Sequence, residues 1–380
     1  MGPSKRPCHT RRSLQSNLGK PWLEGIERMP NSPHLRCLIL ATLLSASAAS
    51  AQQTPRPTPP AANQILLDVV VTQKSGPPVG DLTEQDFTLL DNKAPRTITS
   101  FKAVSGRDAP IEVLLVIDAV NATARTIALE RSNIDKVLRA EGGRLAYRLA
   151  IAIFGDKGTQ ILGGGFSTDG NAIAAQLDRQ EIGLRDLGRS AGFNGGTERW
   201  QLSLKTLSQL VANLAPRPGR KLILWVSPGW PLLSGPNVDL DAKLQTMMFG
   251  HIVNLSTQLR QARVTLYSVD PLGNSESISR ASFYQEFVKG ISKPSQIEAG
   301  DLGLPVIATQ SGGLALNFNN DVAALLQECI SDAAPYYEIS FVPAAAERPD
   351  EYHRIEVKIA KPGLTGRTRQ GYYAQPATHN

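Results

Sequence analysis

Ser227, Asp270 and His353 occur in the Ser…Asp…His order that α/β-hydrolases use, and the first two follow apolar runs that read as strands. Such a set would supply a hydroxyl nucleophile, its base and the carboxylate that orients the base. The strained G-x-S-x-G elbow that exposes the serine is missing, because Trp225 stands where the first glycine belongs. His353 falls in a separate β-rich stretch near the C-terminus, and Ser227-Pro228-Gly229 and Asp270-Pro271 also read as plain turns after strands. No G-x-x-x-x-G-K-[ST] occurs, which excludes a P-loop, and Gly163-Gly164-Gly165 lacks dinucleotide-binding spacing. Beyond residue 51 the histidines are His251, His353 and His379, none at zinc-ligand spacing with another. Cys329 falls on the apolar stripe of a helix and reads as a sequestered thiol. Arg217, Arg220 and Lys221 read as a solvated loop ahead of a strand.

The elements that position these groups follow from periodicity. Residues 113–117 (VLLVI), 149–154 (LAIAIF), 222–226 (LILWV) and 264–269 (VTLYSV) are short apolar runs, the pattern of strands covered on both faces. Helical stripes alternate with them: Ile127, Ile134, Val137 and Leu138; Trp200 through Leu214; Leu240 through Leu259; and Val322 through Ile330. This alternation predicts a doubly wound, mostly parallel α/β domain over residues 108–334. Residues 185–194, flanked by glycines, read as a surface loop. On either side lie β-rich flanks, 64–104 and 336–374, neither long enough to bury a core alone. Together they are expected to form one small β-sandwich beside the α/β domain.

With 380 residues and 41% hydrophobic content the chain has ample material for such cores. Residues 38–49 (LILATLLSASAA) follow Arg36 and end at Ala49-Ser50-Ala51, so residues 1–51 read as a signal peptide cleaved after Ala51. Met29 heads a conventional n-region and is the expected translation start; Pro-rich residues 52–63 read as a linker. No later apolar run is long enough to span a membrane, which makes the expected destination the periplasm or the exterior. Nearly all of the net charge of +6 lies in the leader. Residues 1–51 carry seven basic and two acidic side chains, leaving 33 basic against 32 acidic. A balance that close to neutral gives no electrostatic reason to bind nucleic acid.

VLLVIDAVN (113–121), Gly195-Gly196-Thr197 before a helix, GRKLILWVSPG (219–229) and LYSVDP (266–271), in that order, resemble the von Willebrand factor A (VWA) domain. The flanks VVVTQKSGPPVGDLTEQDFTLLDNKAPRTITSF, YYEISFVP and GRTRQGYYA are similar to those of the bacterial VWFA-related family, known mainly from acidobacteria. The resemblance covers residues 64–374. It implies a parallel sheet with a metal-ion-dependent adhesion site at the carboxyl ends of its strands. That site is built from Asp-x-Ser-x-Ser, a loop threonine and a later aspartate, and it holds a divalent ion, usually Mg²⁺, that takes an acidic group from a protein partner.

On that pattern Asp118 matches the first position and Thr197 the loop threonine. Val120 and Ala122 replace the two serines, and Ser227-Pro228-Gly229 stands where the last aspartate belongs. Mg²⁺ demands near-octahedral oxygen ligands, so the implied site is degenerate, with Asn121, Thr123 and Ser227 as partial substitutes. The competing structural reading makes Asn121 the N-cap of the helix starting near Thr123, Thr197 the N-cap of a helix at Glu198, and Asp118 an acceptor of loop N–H groups. The expectation is a secreted, non-catalytic VWA-type adhesion module that binds a protein or surface glycan, with weak or absent binding of Mg²⁺ or another divalent cation. A structural element of the cell envelope with an unused crevice, and an uncharacterised hydrolase, are the rivals.

Overall fold

The computed structural model describes residues 64–74, 76–106, 110–182, 192–231, 240–273, 284–317, 319 and 321–376. The expected signal peptide, its cleavage site, Met29, the linker and His379 lie outside them. The chain opens with β1 (Ile65–Gln73), β2 (Phe87–Asp91), β3 (Ala94–Arg96) and β4 (Ile98–Val104). An alternating section follows: β5 (Ile111–Asp118), α1 (Ala124–Arg139), β6 (Arg144–Gly155), β7 (Gly158–Ile161), β8 (Ser167–Asp169), α2 (Gly170–Arg179) and α3 (Gly192–Leu214). It continues through β9 (Arg220–Val226), α4 (Ala242–Gln261), β10 (Val264–Val269), α5 (Leu304–Gln310), β11 (Ala315–Leu316) and α6 (Val322–Ser331). The last strands are β12 (Tyr336–Phe341), β13 (Glu351–Ile359), β14 (Leu364–Arg367) and β15 (Gly371–Ala374).

The central sheet has the order β11-β10-β9-β5-β6-β7, with β8 also paired to β6. Five of its strands run parallel, and β7 and β8 are antiparallel to β6. Successive side chains on a strand point to opposite faces, and this sheet buries both. Val113, Leu115 and Ile117 of β5 join Leu222, Leu224 and Val226 of β9 in a core with α1, α2 and α6. Leu114, Val116, Ile223 and Trp225 enter the opposite core, with α3, α4 and α5. This is the expected α/β architecture, and the continuous apolar runs are its cause.

Each flanking sheet takes strands from both ends of the chain. One has the order β14-β1-β12-β4 and the other β15-β13-β2-β3, antiparallel throughout. Leu67, Val69, Tyr337 and Ile339 of the first face Phe87, Leu89, Ile355 and Val357 of the second. Phe87 and Tyr337 pack at 4.9 Å between ring centroids. The expected β-sandwich is present, and neither flank has a complete sheet without the other.

Three local expectations are corrected. Arg220 and Lys221 do not sit in a solvated loop: they open β9 and are 1% and 3% exposed. Arg220 donates to the Asp332 carbonyl at 2.7 Å and lies over the Tyr336 ring, while Lys221 donates to the Arg217 carbonyl at 2.7 Å. Burial pushes the Lys221 amine down to about 8. The N-cap of α1 is Thr123, whose hydroxyl accepts from Thr126 N–H, and not Asn121. Helix α3 already begins at Gly192, so Thr197 lies inside it and is not its N-cap. Of the loop expected at 185–194, residues 185–191 lie outside the described residues and 192–194 are helical.

Candidate functional site

From β5 the chain moves to β6 on one side and later returns to β9 on the other. The strand order therefore reverses between β5 and β9, and in open α/β sheets the crevice at the carboxyl ends of such strands is the usual binding place. Asp118 is the last residue of β5 and Ser227 follows β9, so both stand at this reversal.

Asp118 is fully buried, and five donor groups converge on its carboxylate. The backbone N–H groups of Val120 (3.2 Å) and Asn121 (3.0 Å) donate to Oδ1, closing the turn after the strand. The Asn121 amide reaches both oxygens, at 3.2 and 2.9 Å. From β9, Trp225 Nε1 (3.0 Å) and the Ser227 hydroxyl (2.9 Å) donate to Oδ2. Asn121 Nδ2 also donates to Ser203 Oγ of α3 at 3.0 Å, and Ser227 Oγ accepts from Gly229 N–H at 3.1 Å. Burial raises the Asp118 carboxyl above its ordinary value, and the bonds from Asn121, Trp225 and Ser227 pull it back. Taking a carboxylate out of water costs several kcal/mol, and a set of hydrogen bonds to a charged group, about 1.5–3 kcal/mol each, offsets that cost.

Asn121 and Ser227 are thus both brought within hydrogen-bond distance of Asp118. Thr197 is half-buried within α3, and the bond from that helix to the cluster named above comes from Ser203, six residues further on. Trp225 and Ser203 were not foreseen as members. An indole in a strand and a serine in a helix carry no sequence signal that they will meet an aspartate 107 residues away and an asparagine 82 residues away.

A second carboxyl lies close by. Glu130 of α1 is fully buried and neither of its oxygens has a hydrogen-bond partner. Burial holds it well above the ordinary glutamate value, and the charges of Asp118 and Asp270 push the same way. The uncharged acid is the favoured form.

The Ser227, Asp270 and His353 groups have other partners. His353 lies in the sandwich core, with Nδ1 at 2.9 Å from Asp91 Oδ1, and Tyr372 donates its hydroxyl to Asp91 Oδ2 at 2.9 Å. Ser227 donates to Asp118, and Asp270 Oδ1 accepts from Leu272 N–H at 2.8 Å.

The divalent ion that the resemblance implies does not fit this donor set. Both Asp118 oxygens already accept hydrogen bonds, three of them from the side chains of Asn121 and Ser227, and the Ser227 hydroxyl would have to turn from Asp118 to offer a lone pair to a cation. Among the described residues no group of three or more His, Cys, Asp and Glu side chains is arranged to hold a metal.

No protein-family model matches the chain, and no curated protein matches it. Solved structures do. Proximal thread matrix protein 1 from the mussel byssus is 12% identical over 62% of this chain and 50% of that one, with a TM-score of 0.34. The PilB minor pilin from Streptococcus sanguinis is 11% identical over 60% of this chain and 62% of that one, with a TM-score of 0.35. A Rpn10 VWA domain is 14% identical over 58% of this chain and 95% of its own length, at 0.26. The match thus spans about half the length of the mussel protein, and scores this far below 0.5 do not establish a shared fold.

Proposed function

We propose that this chain is a secreted, non-catalytic interaction module of the VWA type, whose crevice at the β5–β9 reversal meets a protein or surface-glycan partner without depending on a divalent ion. One observation carries this reading: the Asp118 carboxylate is saturated by donors from its own chain. In the resembled family that position holds a cation. Here the hydroxyl of Ser227 and the amide of Asn121 supply the positive ends of dipoles in its stead. The resulting floor is rigid and closed, suited to support a contact surface and not to coordinate a ligand's acidic group.

The near-neutral balance beyond residue 51 supports a partner recognised by shape and local hydrogen bonds over one recognised by bulk charge. Export rests on the leader read from residues 1–51. Among the described residues no helix is long and apolar enough to cross a membrane. The test is capture of partners from a cell-envelope extract on immobilised protein, with and without chelator. Chelator-insensitive capture supports the reading. Capture abolished by chelator contradicts its metal independence, and no capture at all contradicts the interaction role.

A further inference from the structure

The polar cluster inside the β-sandwich leaves one strong ligand atom unused. His353 of β13 is 3% exposed, and its Nδ1 lies 2.9 Å from Asp91 Oδ1 of β2. A carboxylate only accepts, so the imidazole donates through Nδ1–H and keeps its lone pair on Nε2. That Nε2 is buried and has no hydrogen-bond partner. Buried polar atoms are nearly always paired, so an unpaired one calls for a partner.

Glu351 stands two residues earlier on β13, and side chains two apart on a strand share a face. Its Oε1 lies 3.9 Å from His353 Nε2, beyond hydrogen-bond reach. Its Oε2 accepts from the Glu347 N–H at 2.7 Å, which fixes the direction of the carboxylate. Both ligand atoms are therefore held from behind, His353 by Asp91 and Glu351 by the turn that leads into β13. Asp91 is held in its turn by the Tyr372 hydroxyl at 2.9 Å. A carboxylate behind an imidazole is the usual support of a metal-bound histidine: it fixes the ring and makes Nε2 the better ligand. Asp91 comes from the N-terminal flank and His353 from the C-terminal one, so this support exists only where β2 and β13 pair.

We propose that His353 Nε2 and Glu351 Oε1 bind a divalent transition-metal ion such as Zn²⁺ at the rim of the sandwich. An ion about 2.0–2.2 Å from each atom bridges the gap after a slight turn of Glu351. That side chain is 23% exposed, which gives the ion its way in. Among the described residues no third His, Cys, Asp or Glu joins these two as a ligand, so water fills the remaining positions on the solvent side. An imidazole nitrogen with one carboxylate oxygen suits Zn²⁺, whereas Mg²⁺, Mn²⁺ and Ca²⁺ favour shells of oxygen.

The test is calorimetric titration of the full chain with Zn²⁺, with Mg²⁺ as comparator. A saturable phase of one equivalent is expected with Zn²⁺ and none with Mg²⁺. Glu351→Gln should weaken Zn²⁺ binding at least tenfold, and His353→Gln should abolish that phase. The glutamine still accepts from Glu347 N–H at the partly exposed rim, so this variant keeps the test valid even if the His353 variant does not fold. His251→Gln and His379→Gln, which remove the other histidines beyond residue 51, should leave the affinity unchanged. Absence of a saturable Zn²⁺ phase, an affinity unchanged in Glu351→Gln, or a phase lost in His251→Gln or His379→Gln would overturn the proposal.

Discussion

The Ser227 hydroxyl lies 2.9 Å from Asp118 Oδ2 and ties the ends of β5 and β9 together where the strand order of the sheet reverses. Removing it leaves a fully buried carboxylate one donor short. Ser227→Ala should therefore destabilise the protein by about 1–3 kcal/mol, the cost of an unmet buried acceptor bond. Urea unfolding measures this as a lower midpoint at unchanged slope. A midpoint equal to wild type would show that water replaces the hydroxyl freely and that the cluster is not closed.

Glu130 gives the protein a pH dependence of definite sign. Its folded value lies well above the ordinary 4.5. The stability linked to its protonated form is fully present below 4.5 and is lost as pH rises from there toward the folded value, because the unfolded chain ionises first. Glu130→Gln, which keeps the shape without the proton, should flatten that loss, so its advantage over wild type grows between pH 5 and 8. Parallel stability curves for the two proteins across this range would refute the assignment.

In the sandwich, Asp91 is held by His353 from β13 and Tyr372 from β15, at 2.9 Å each. Tyr372→Phe removes one of these donors from a core built by both ends of the chain. A loss of about 1–3 kcal/mol is expected, seen by calorimetry as a lower Tm of a single transition. If the variant instead shows two separated transitions, the flanks and the α/β section do not unfold as one unit.

Much of the architecture was legible because burial on both faces of a strand leaves an unmistakable run. LILWV and VTLYSV can be covered only by helices on both sides, and the two β flanks, too short alone, had to find each other. The short strands β7, β8, β11 and β14 were not legible: two to four residues, mostly half-buried or exposed, leave no alternation to read. Arg220 looked solvated because the groups that bury it, the Asp332 carbonyl and the Tyr336 ring, stand more than a hundred residues away. Glu130 stands beside the polar Arg131 and Ser132, and nothing in the sequence marks it as buried. At the site Asp118 was readable as an acceptor of loop N–H groups, which Val120 and Asn121 supply, but the indole donor from β9 was not. Trp225 reaches Asp118, and Ser203 reaches Asn121, through tertiary packing alone.

The central claim is that the Asp118 carboxylate is occupied by its own chain. Isothermal titration of the full chain with Mg²⁺, Mn²⁺ and Ca²⁺, beside an Asp118→Ala control, addresses it most directly. No saturable heat up to millimolar ion, and curves that coincide for the two proteins, are predicted. Submillimolar binding that vanishes in Asp118→Ala would contradict the account.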